Sequence, residues 1–118
     1  MGFIRGGSSG SDDTRRVPEA YRSGVNEVVL LQSAQADLLE IFGLYGEASY
    51  RRIDSALEAI CKMPELAPIY HDHFRRKLVE GTPYGIFYSV VGSRLMISFI
   101  LDLRQDPSTI ERHLKTGR

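Results

Sequence analysis

The hydrophobic pattern between Phe74 and Pro107, in the second half of the chain, predicts three consecutive antiparallel strands. It contains Gly92-Ser93, a two-residue turn whose leading glycine is typical of a type II′ hairpin. Because strand side chains alternate, this turn predicts three apolar cross-strand pairs on one face: Val90 with Leu95, Tyr88 with Ile97, and Ile86 with Phe99. The other face would be a mixed, half-open surface made of Phe87, Ser89, Met96, Ser98 and Ile100.

Two further strands are predicted upstream of this hairpin. One runs from Phe74 to Glu80 and is joined to the hairpin by residues 81–85, which include two glycines and a proline. The other is the β-branched run Val25–Leu31. We therefore expect a sheet of four strands.

Two helices are predicted between the first and second strands, because apolar residues recur there at spacings of three and four. The first would begin at an N-cap Ser33, end at Gly46 and bury Leu38, Ile41, Phe42 and Tyr45. The second would span Ala48–Met63, end before Pro64 and bury Ile53, Ala56, Leu57 and Ile60. A short helix over Ser108–Leu114 would follow the last strand.

These elements follow the order β-α-α-β-β-β, which predicts an α+β domain with a helical hairpin packed on a small antiparallel sheet. Residues 25–118 would form this single domain. Residues 1–24 are rich in Gly, Ser and charge and show no sustained period. We expect them to be a flexible N-terminal extension, such as a vector remnant or the product of an early start codon.

Charge is balanced over the 118 residues but unevenly placed. Residues 25–66 hold three Lys/Arg against seven Asp/Glu, a net charge of −4. Residues 67–118 hold eight Lys/Arg against five Asp/Glu, a net charge of +3. The predicted sheet is thus the basic half, which a polyanion or an acidic peptide would meet first.

Other features limit the compartment and the chemistry. The single cysteine, Cys61, excludes an internal disulfide and is expected to be a buried thiol at the end of a helix. No apolar run is long enough to span a bilayer and no signal peptide is evident, which predicts a cytoplasmic protein with no membrane partner. There is no phosphate-binding loop, and His71-Asp72-His73 lacks further ligands nearby, so we expect no cofactor and no metal.

The candidate functional residues are cationic and aromatic side chains of the predicted sheet together with one carboxylate: Arg75, Arg76, Lys77, Tyr84, Tyr88, Asp102 and Arg104. On an uncovered sheet face they could hold a phosphodiester through guanidinium contacts, or an acidic segment of a partner protein. Equally well, Asp102 and Asp106 could form surface ion pairs with Arg104 or Arg76, which contribute little stability. Spacing alone does not choose between these interpretations.

The ordered set of motifs resembles the RelE/ParE superfamily of bacterial toxins, and its ParE-like branch in particular. The first strand is followed by the capped segment AQADLLEI at residues 34–41 and then by a helix end at Leu57–Pro64. The basic strand Arg75–Val79 leads into residues 83–88 (PYGIFY), which are similar to the family's Pro-Tyr-x-Ile-x-Tyr strand. The run Arg104-Gln105-Asp106-Pro107 is similar to its final Arg-x-Asp-Pro element. The resemblance covers about residues 25–114.

This resemblance implies a helical hairpin on a small antiparallel sheet, in agreement with the fold predicted from the pattern alone. It also implies the toxin of a type II toxin–antitoxin system, which acts by binding a target protein and is neutralised by a cognate antitoxin. The family precedent for the target is DNA gyrase. Antitoxins of this kind lay extended or helical segments across apolar and basic surface of the toxin.

Two alternatives stay open. RelE-like members are ribosome-dependent messenger-RNA endonucleases, in which the basic strand or Arg104 would hold the scissile phosphate and Tyr84 or Tyr88 would stack a base. Relatives often carry a His near the end of the last strand, where this chain has Asp102, a carboxylate that would repel a phosphate. The other alternative is a degenerate homologue that serves only as a binding module. The sequence makes no prediction about the oligomeric state.

Overall fold

A computed structural model describes residues 12–22 and 24–116 of the chain. Within these residues, six strands form one sheet: β1 (Asp13–Arg16), β2 (Glu27–Leu30), β3 (Ile69–His71), β4 (Phe74–Leu78), β5 (Tyr84–Val91) and β6 (Arg94–Asp102). The helices are α1 (Gln32–Tyr45), α2 (Glu47–Lys62) and α3 (Pro107–Thr116). None of the described helices combines the length and the apolar character needed to cross a membrane.

The sheet order is β1-β2-β6-β5-β4-β3, in which only β2 and β6 run parallel and the other neighbours are antiparallel. A parallel pair needs a crossover connection. The helical hairpin α1–α2 begins that crossover after β2 and packs on one face of the sheet, called the hairpin face below. The predicted α+β class and helical hairpin on a sheet are confirmed, but the sheet is mixed and has two strands more than expected.

The central hairpin of β5 and β6 follows the predicted pattern near its turn and departs from it further on. Gly92 has φ of 62° and Ser93 has no positive φ, as a type II′ turn requires. Two predicted pairs are confirmed, Val90 with Leu95 and Tyr88 with Ile97. The third is wrong, because the register shifts by one residue and pairs Ile86 with Ile100 and Phe87 with Phe99.

The shift makes Ser98 the extra residue of a β-bulge. Beyond a one-residue shift every side chain changes face, so Ile100 joins the hairpin face and Phe99 moves to the opposite face. There, α3 covers an apolar cluster that consists of Phe74, Phe87, Phe99, Leu101, Ile110 and Leu114. The prediction of a half-open second face is therefore wrong for this part of the sheet. Ser89 and Ser98 are buried as well.

Beyond Ile97, side chains of α1 rather than a neighbouring strand form hydrogen bonds with the backbone of β6. The parallel ladder ends where the Leu31 N–H donates to the Ile97 carbonyl at 3.0 Å. Immediately beyond it, the Ser33 hydroxyl donates to the Ser98 carbonyl at 2.6 Å. The Ile100 N–H donates to the Asp37 carboxylate at 2.9 Å. Backbone groups of the bulge that no strand reaches are satisfied in this way, which buried polar groups require.

This role explains why one helix-capping prediction is wrong. Leu31 holds the N-cap position of α1 and makes no side-chain cap, whereas Ser33 lies inside the first turn and binds the bulge. Gly46 ends α1 as predicted, with φ of 80° and its N–H donating to the Phe42 carbonyl. Glycine adopts that left-handed conformation at little cost.

The buried faces of the two helices are confirmed for α2 and only in part for α1. All four predicted positions of α2 are buried, and Cys61 is buried beside them, where burial raises the pKa of its thiol to about 12. In α1, Leu38 and Ile41 are buried but Phe42 and Tyr45 are about half exposed. The buried stripe of α1 begins one turn earlier than expected, at Ala34.

The expectation that residues 1–24 lie outside the fold is wrong for the described part of that segment. Strand β1 pairs with β2 in antiparallel register, and Val17, which follows it, is fully buried. A four-residue edge strand made of polar residues gives no hydrophobic period, so the sequence pattern could not reveal it. Residues 1–11 and 23 lie outside the described residues, as do residues 117–118.

The Asp37 carboxylate makes the stability of the fold depend on pH. Burial, the largest cause, raises its pKa from 3.8 to about 6 despite the hydrogen bond from Ile100. Between about pH 4 and pH 6 the folded state holds a proton that the unfolded state has already released. The contribution of Asp37 to the free energy of unfolding is therefore greatest below about pH 4. We expect this contribution to fall by up to ~3 kcal/mol as pH rises through 6.

We expect Asp37→Asn to remove this pH dependence, because the amide oxygen still accepts from Ile100 but does not titrate. Urea unfolding of both proteins between pH 4 and 7 measures the difference in their free energies of unfolding. As pH rises, the free energy of unfolding of the variant should increase relative to that of the unmodified protein. A difference that stays constant would show that the pKa of Asp37 is not raised.

Candidate functional site

The seven residues singled out from the sequence do not form one patch. Cross-strand pairing places Arg75 opposite Tyr88 and Lys77 opposite Ile86, all on the hairpin face. Arg76 lies opposite Phe87, on the face that α3 covers. The other three, Tyr84, Asp102 and Arg104, lie where β5 begins and β6 ends. The three adjacent cations of β4 thus point to both faces, as strand alternation requires.

Two of the seven residues hold the connector between α2 and β3 in place. The Arg75 guanidinium donates to the carbonyls of Glu65 and Ala67 at 3.0 and 2.6 Å. The Tyr88 hydroxyl, which is buried, donates to the Pro64 carbonyl at 2.7 Å. Burial raises the pKa of Tyr88 to about 12. With no exposed ring surface, Tyr88 cannot stack a nucleic-acid base, so its role is structural.

Arg76 stacks on an aromatic pair rather than facing an open sheet. Its guanidinium lies 4.6 Å from the centre of the Tyr70 ring, and that ring meets Phe87 edge-on at 5.4 Å. Such a cation–π contact fixes the side chain without neutralising its charge. Tyr70 belongs to β3, a strand that the sequence pattern did not predict.

A second group of side chains, the strand-end cluster, consists of Tyr45, Tyr84, Asp102 and Arg104. Tyr84 lies opposite Asp102 in the ladder, and its ring centre is 6.2 Å from that of Tyr45. Arg104 binds Asp102 through two side-chain contacts, Nε to Oδ1 at 3.0 Å and Nη2 to Oδ2 at 2.7 Å. Tyr45 is not among the seven predicted residues, because it was expected to be buried at the end of α1.

The electrostatics of the strand-end cluster disfavour a general base there. Burial raises the pKa of Tyr84 to about 12, with a further contribution from Tyr45. Hydrogen bonding to Arg104 lowers the pKa of Asp102, and Asp102 in turn raises the pKa of Arg104. At neutral pH Tyr84 is a protonated phenol and Asp102 is paired with Arg104, so neither Tyr84 nor Asp102 is suited to act as a general base.

The predicted ion pairs are confirmed in part. Arg104 pairs with Asp102, and Asp102 also accepts the backbone N–H of Arg104 at 2.9 Å. Asp106 has a different role: its carboxylate accepts from the Ser108 N–H at 3.1 Å at the start of α3. A carboxylate there satisfies an N-terminal donor of the helix.

The structure also contains an apolar groove that the sequence analysis did not identify. This groove, called the α2–β4 groove, has a volume of about 520 Å³ and lies between α2, the connector and β4. Its apolar lining includes Met63, Leu66 and Leu78, which are 56%, 72% and 53% exposed. A neighbouring cavity of about 360 Å³ shares Ala59, Lys77, Leu78 and Glu80 with it and continues along α2.

The charges at the α2–β4 groove are mostly positive. Lys62 and Lys77 line it against a single carboxylate, Glu80, whereas the guanidinium of Arg76 lies over the Tyr70 ring on the other face of the sheet. Exposed apolar side chains rimmed by charge are typical of a surface that binds another protein. The sequence signal was weak, because Met63 and Leu66 flank a proline in an irregular segment and only the fold brings Leu78 beside them.

The histidines are dispersed. His71 and His73 flank Asp72, whose φ of 57° makes the tight turn between β3 and β4. The exposed His73 ring stacks on Phe74 at 4.4 Å, and His113 on α3 lies 5.7 Å from Phe99. Across residues 12–22 and 24–116, no three metal-binding side chains come together.

Comparison with protein families finds no family that matches this chain, and comparison with curated proteins finds no similar sequence. The family resemblance drawn from the motifs therefore stays a prediction.

We expect Tyr88→Phe to lower the free energy of unfolding by about 1–2 kcal/mol, because it leaves the buried Pro64 carbonyl without its donor. Denaturant unfolding measures this change. Tyr70→Phe is a matched control, since no hydrogen bond of the Tyr70 hydroxyl is found within the described residues, and its effect should be small. Equal effects of the two substitutions would refute a structural role for the Tyr88 hydroxyl.

Proposed function

We propose that this protein is the toxin of a type II toxin–antitoxin pair, of the ParE-like kind. It acts in the cytoplasm by binding a target protein such as DNA gyrase, and a cognate antitoxin neutralises it. The motif order of residues 25–114 supports the family, and the helical hairpin packed on a sheet agrees with the fold that this family implies. The observation that carries the proposal is the α2–β4 groove.

The composition of the α2–β4 groove suits an antitoxin segment. Its apolar lining would take the apolar face of an extended or helical peptide, and Lys62 and Lys77 would take acidic side chains on that peptide. Charge complementarity of this kind speeds association and selects partners. A cognate antitoxin would thus offer an acidic amphipathic segment.

The strand-end cluster supports binding as the mode of action. Its phenol stays protonated at neutral pH and its guanidinium is already paired with a carboxylate. Since Tyr88 is buried and Arg75 binds the connector, two of the groups expected to serve an endonuclease are occupied in the fold. A protein that acts by occupying a target needs no assembled acid and base.

A ribosome-dependent messenger-RNA endonuclease is the second candidate, and one observation favours it. The Arg104 side chain is 69% exposed beside the half-exposed ring of Tyr45. An exposed guanidinium next to an aromatic ring is a combination that binds a phosphate and stacks a base. RNA binding there would require Arg104 to leave Asp102 or to bind with its remaining donors.

Induced expression in a bacterial host tests these candidates directly, with growth, DNA supercoiling and messenger-RNA integrity followed in parallel. The proposal expects growth arrest, altered DNA topology and intact messenger RNA. Arrest with RNA cuts at defined codon positions would support the endonuclease instead. Folded protein that leaves growth unaffected would indicate a degenerate binding module or a target that the host lacks.

Arg104→Ala separates the two active candidates. The endonuclease predicts that this variant loses RNA cleavage while its fold and antitoxin binding are retained. Under the binding proposal, it produces no change in messenger-RNA integrity because there is no cleavage to lose. Unchanged cleavage by the variant would remove Arg104 from any cleavage mechanism.

We expect Leu66→Glu to weaken antitoxin binding by roughly tenfold or more, because it places a carboxylate in the apolar lining of the α2–β4 groove. Leu39→Glu is the matched control, since Leu39 is equally exposed, at 75%, but does not line the groove. Titration of both variants with the protein encoded beside the toxin gene measures the two affinities. Equal affinities would show that the antitoxin binds elsewhere.

A further inference from the structure

The first described residues form a charge palindrome. Residues 12–16 read Asp-Asp-Thr-Arg-Arg, with two anions before Thr14 and two cations after it. All but the first of them belong to β1. When two copies of this segment run antiparallel and are centred on Thr14, each anion of one copy faces a cation of the other.

Strand β1 is the edge of the sheet, and no strand of the described chain covers its outer side. Val17 shows which way the backbone points, because its N–H donates inward to the Asn26 carbonyl at 2.8 Å. Donors alternate sides along an antiparallel strand, so residues 13 and 15 also point inward. The outward N–H and C=O groups are those of Asp12, Thr14 and Arg16.

A two-fold axis through Thr14 uses all of these outward groups. It pairs Thr14 with Thr14 of the second copy and Asp12 with Arg16 of the second copy, in both directions, which joins every outward donor to an acceptor. Asp13 then lies opposite Arg15 of the second copy. The two side chains of each facing pair lie on the same side of the sheet. Every pair other than the central threonines joins opposite charges.

Other registers are disfavoured. Moving the axis to Arg15 places two arginines opposite each other, and moving it to Asp13 places two aspartates opposite each other, both of which are repulsive. Axes between residues would place facing side chains on opposite sides of the sheet. The palindrome therefore selects a single register.

The neighbouring strands extend the same alternation of charge. Arg16 lies opposite Glu27 in β2, and Glu27 pairs with Arg94 in β6 at 3.1 Å. Asp12 of a second copy, whose Oδ1 also accepts from the Gln32 N–H of its own chain at 3.2 Å, would add an anion beyond Arg16, so charges would alternate across the junction. On the other side of the sheet, Arg15 and Asp13 already form an ion pair at 2.9 Å with both side chains largely buried. Their counterparts from the second copy would continue that pair into a network.

We propose that two copies of this chain associate through β1, antiparallel and in the register centred on Thr14, to form one continuous sheet. The interface is isologous, as in most symmetric dimers. It is small and charged, so the association is weak, reversible and sensitive to salt. This inference is independent of the proposed toxin function, because β1 lies outside both the strand-end cluster and the α2–β4 groove.

Sedimentation equilibrium of the full chain over a range of protein and salt concentrations tests the proposal. We expect a monomer–dimer equilibrium that high salt weakens. An acidic variant (Arg15→Asp with Arg16→Asp) and a basic variant (Asp12→Arg with Asp13→Arg) should each lose self-association by at least roughly tenfold. An equimolar mixture of the two should restore a dimer, because each supplies the charges that the other lacks.

Backbone variants test the same edge without changing charge. Thr14→Pro removes an outward donor at a position where an edge strand tolerates proline, and it should abolish the dimer. Thr14→Val keeps the backbone N–H donor, so this variant should still form the dimer. A chain that stays monomeric at every concentration would overturn the proposal, as would a dimer that survives both charge variants and Thr14→Pro.

Discussion

The structure depends on how α1 completes β6 where no neighbouring strand reaches it. The Ser33 hydroxyl and the Asp37 carboxylate satisfy backbone groups of the bulge at Ser98, which would otherwise be buried without partners. This arrangement keeps an extra residue in β6. The extra residue sends Phe99 to one face of the sheet and Ile100 to the other. Both apolar layers, one under the helical hairpin and one under α3, follow from it.

The same shift decides what the end of β6 can do. It places Asp102 opposite Tyr84, within reach of Arg104 and close to Tyr45 at the end of α1. The result is a protonated phenol beside a closed ion pair, an arrangement that offers no free base. The α2–β4 groove has a separate origin, because Arg75 and Tyr88 bind the carbonyls of the connector and leave its apolar side chains facing outward.

Part of the candidate site could be predicted from the sequence. The Asp102–Arg104 pair follows from two opposite charges near a strand end, and the basic character of the sheet half follows from counting. The grouping of all seven residues could not be predicted, because neighbours in a strand such as Arg75 and Arg76 point to opposite faces and acquire different partners. Tyr45 was missed because helical spacing shows which residues share a face but not how far a neighbouring layer extends.

The sequence by itself determined the α+β class, the helical hairpin, the turn at Gly92 and the central pairs of β5 and β6, because each depends on side-chain periodicity or on a residue's own backbone preference. Only the tertiary structure decided the bulge at Ser98, the addition of β1 and the α2–β4 groove. These features depend on hydrogen bonds and contacts between segments far apart in the chain, such as Ser33 with Ser98. Local pattern carries no record of such contacts, so they become apparent only when the chain is folded.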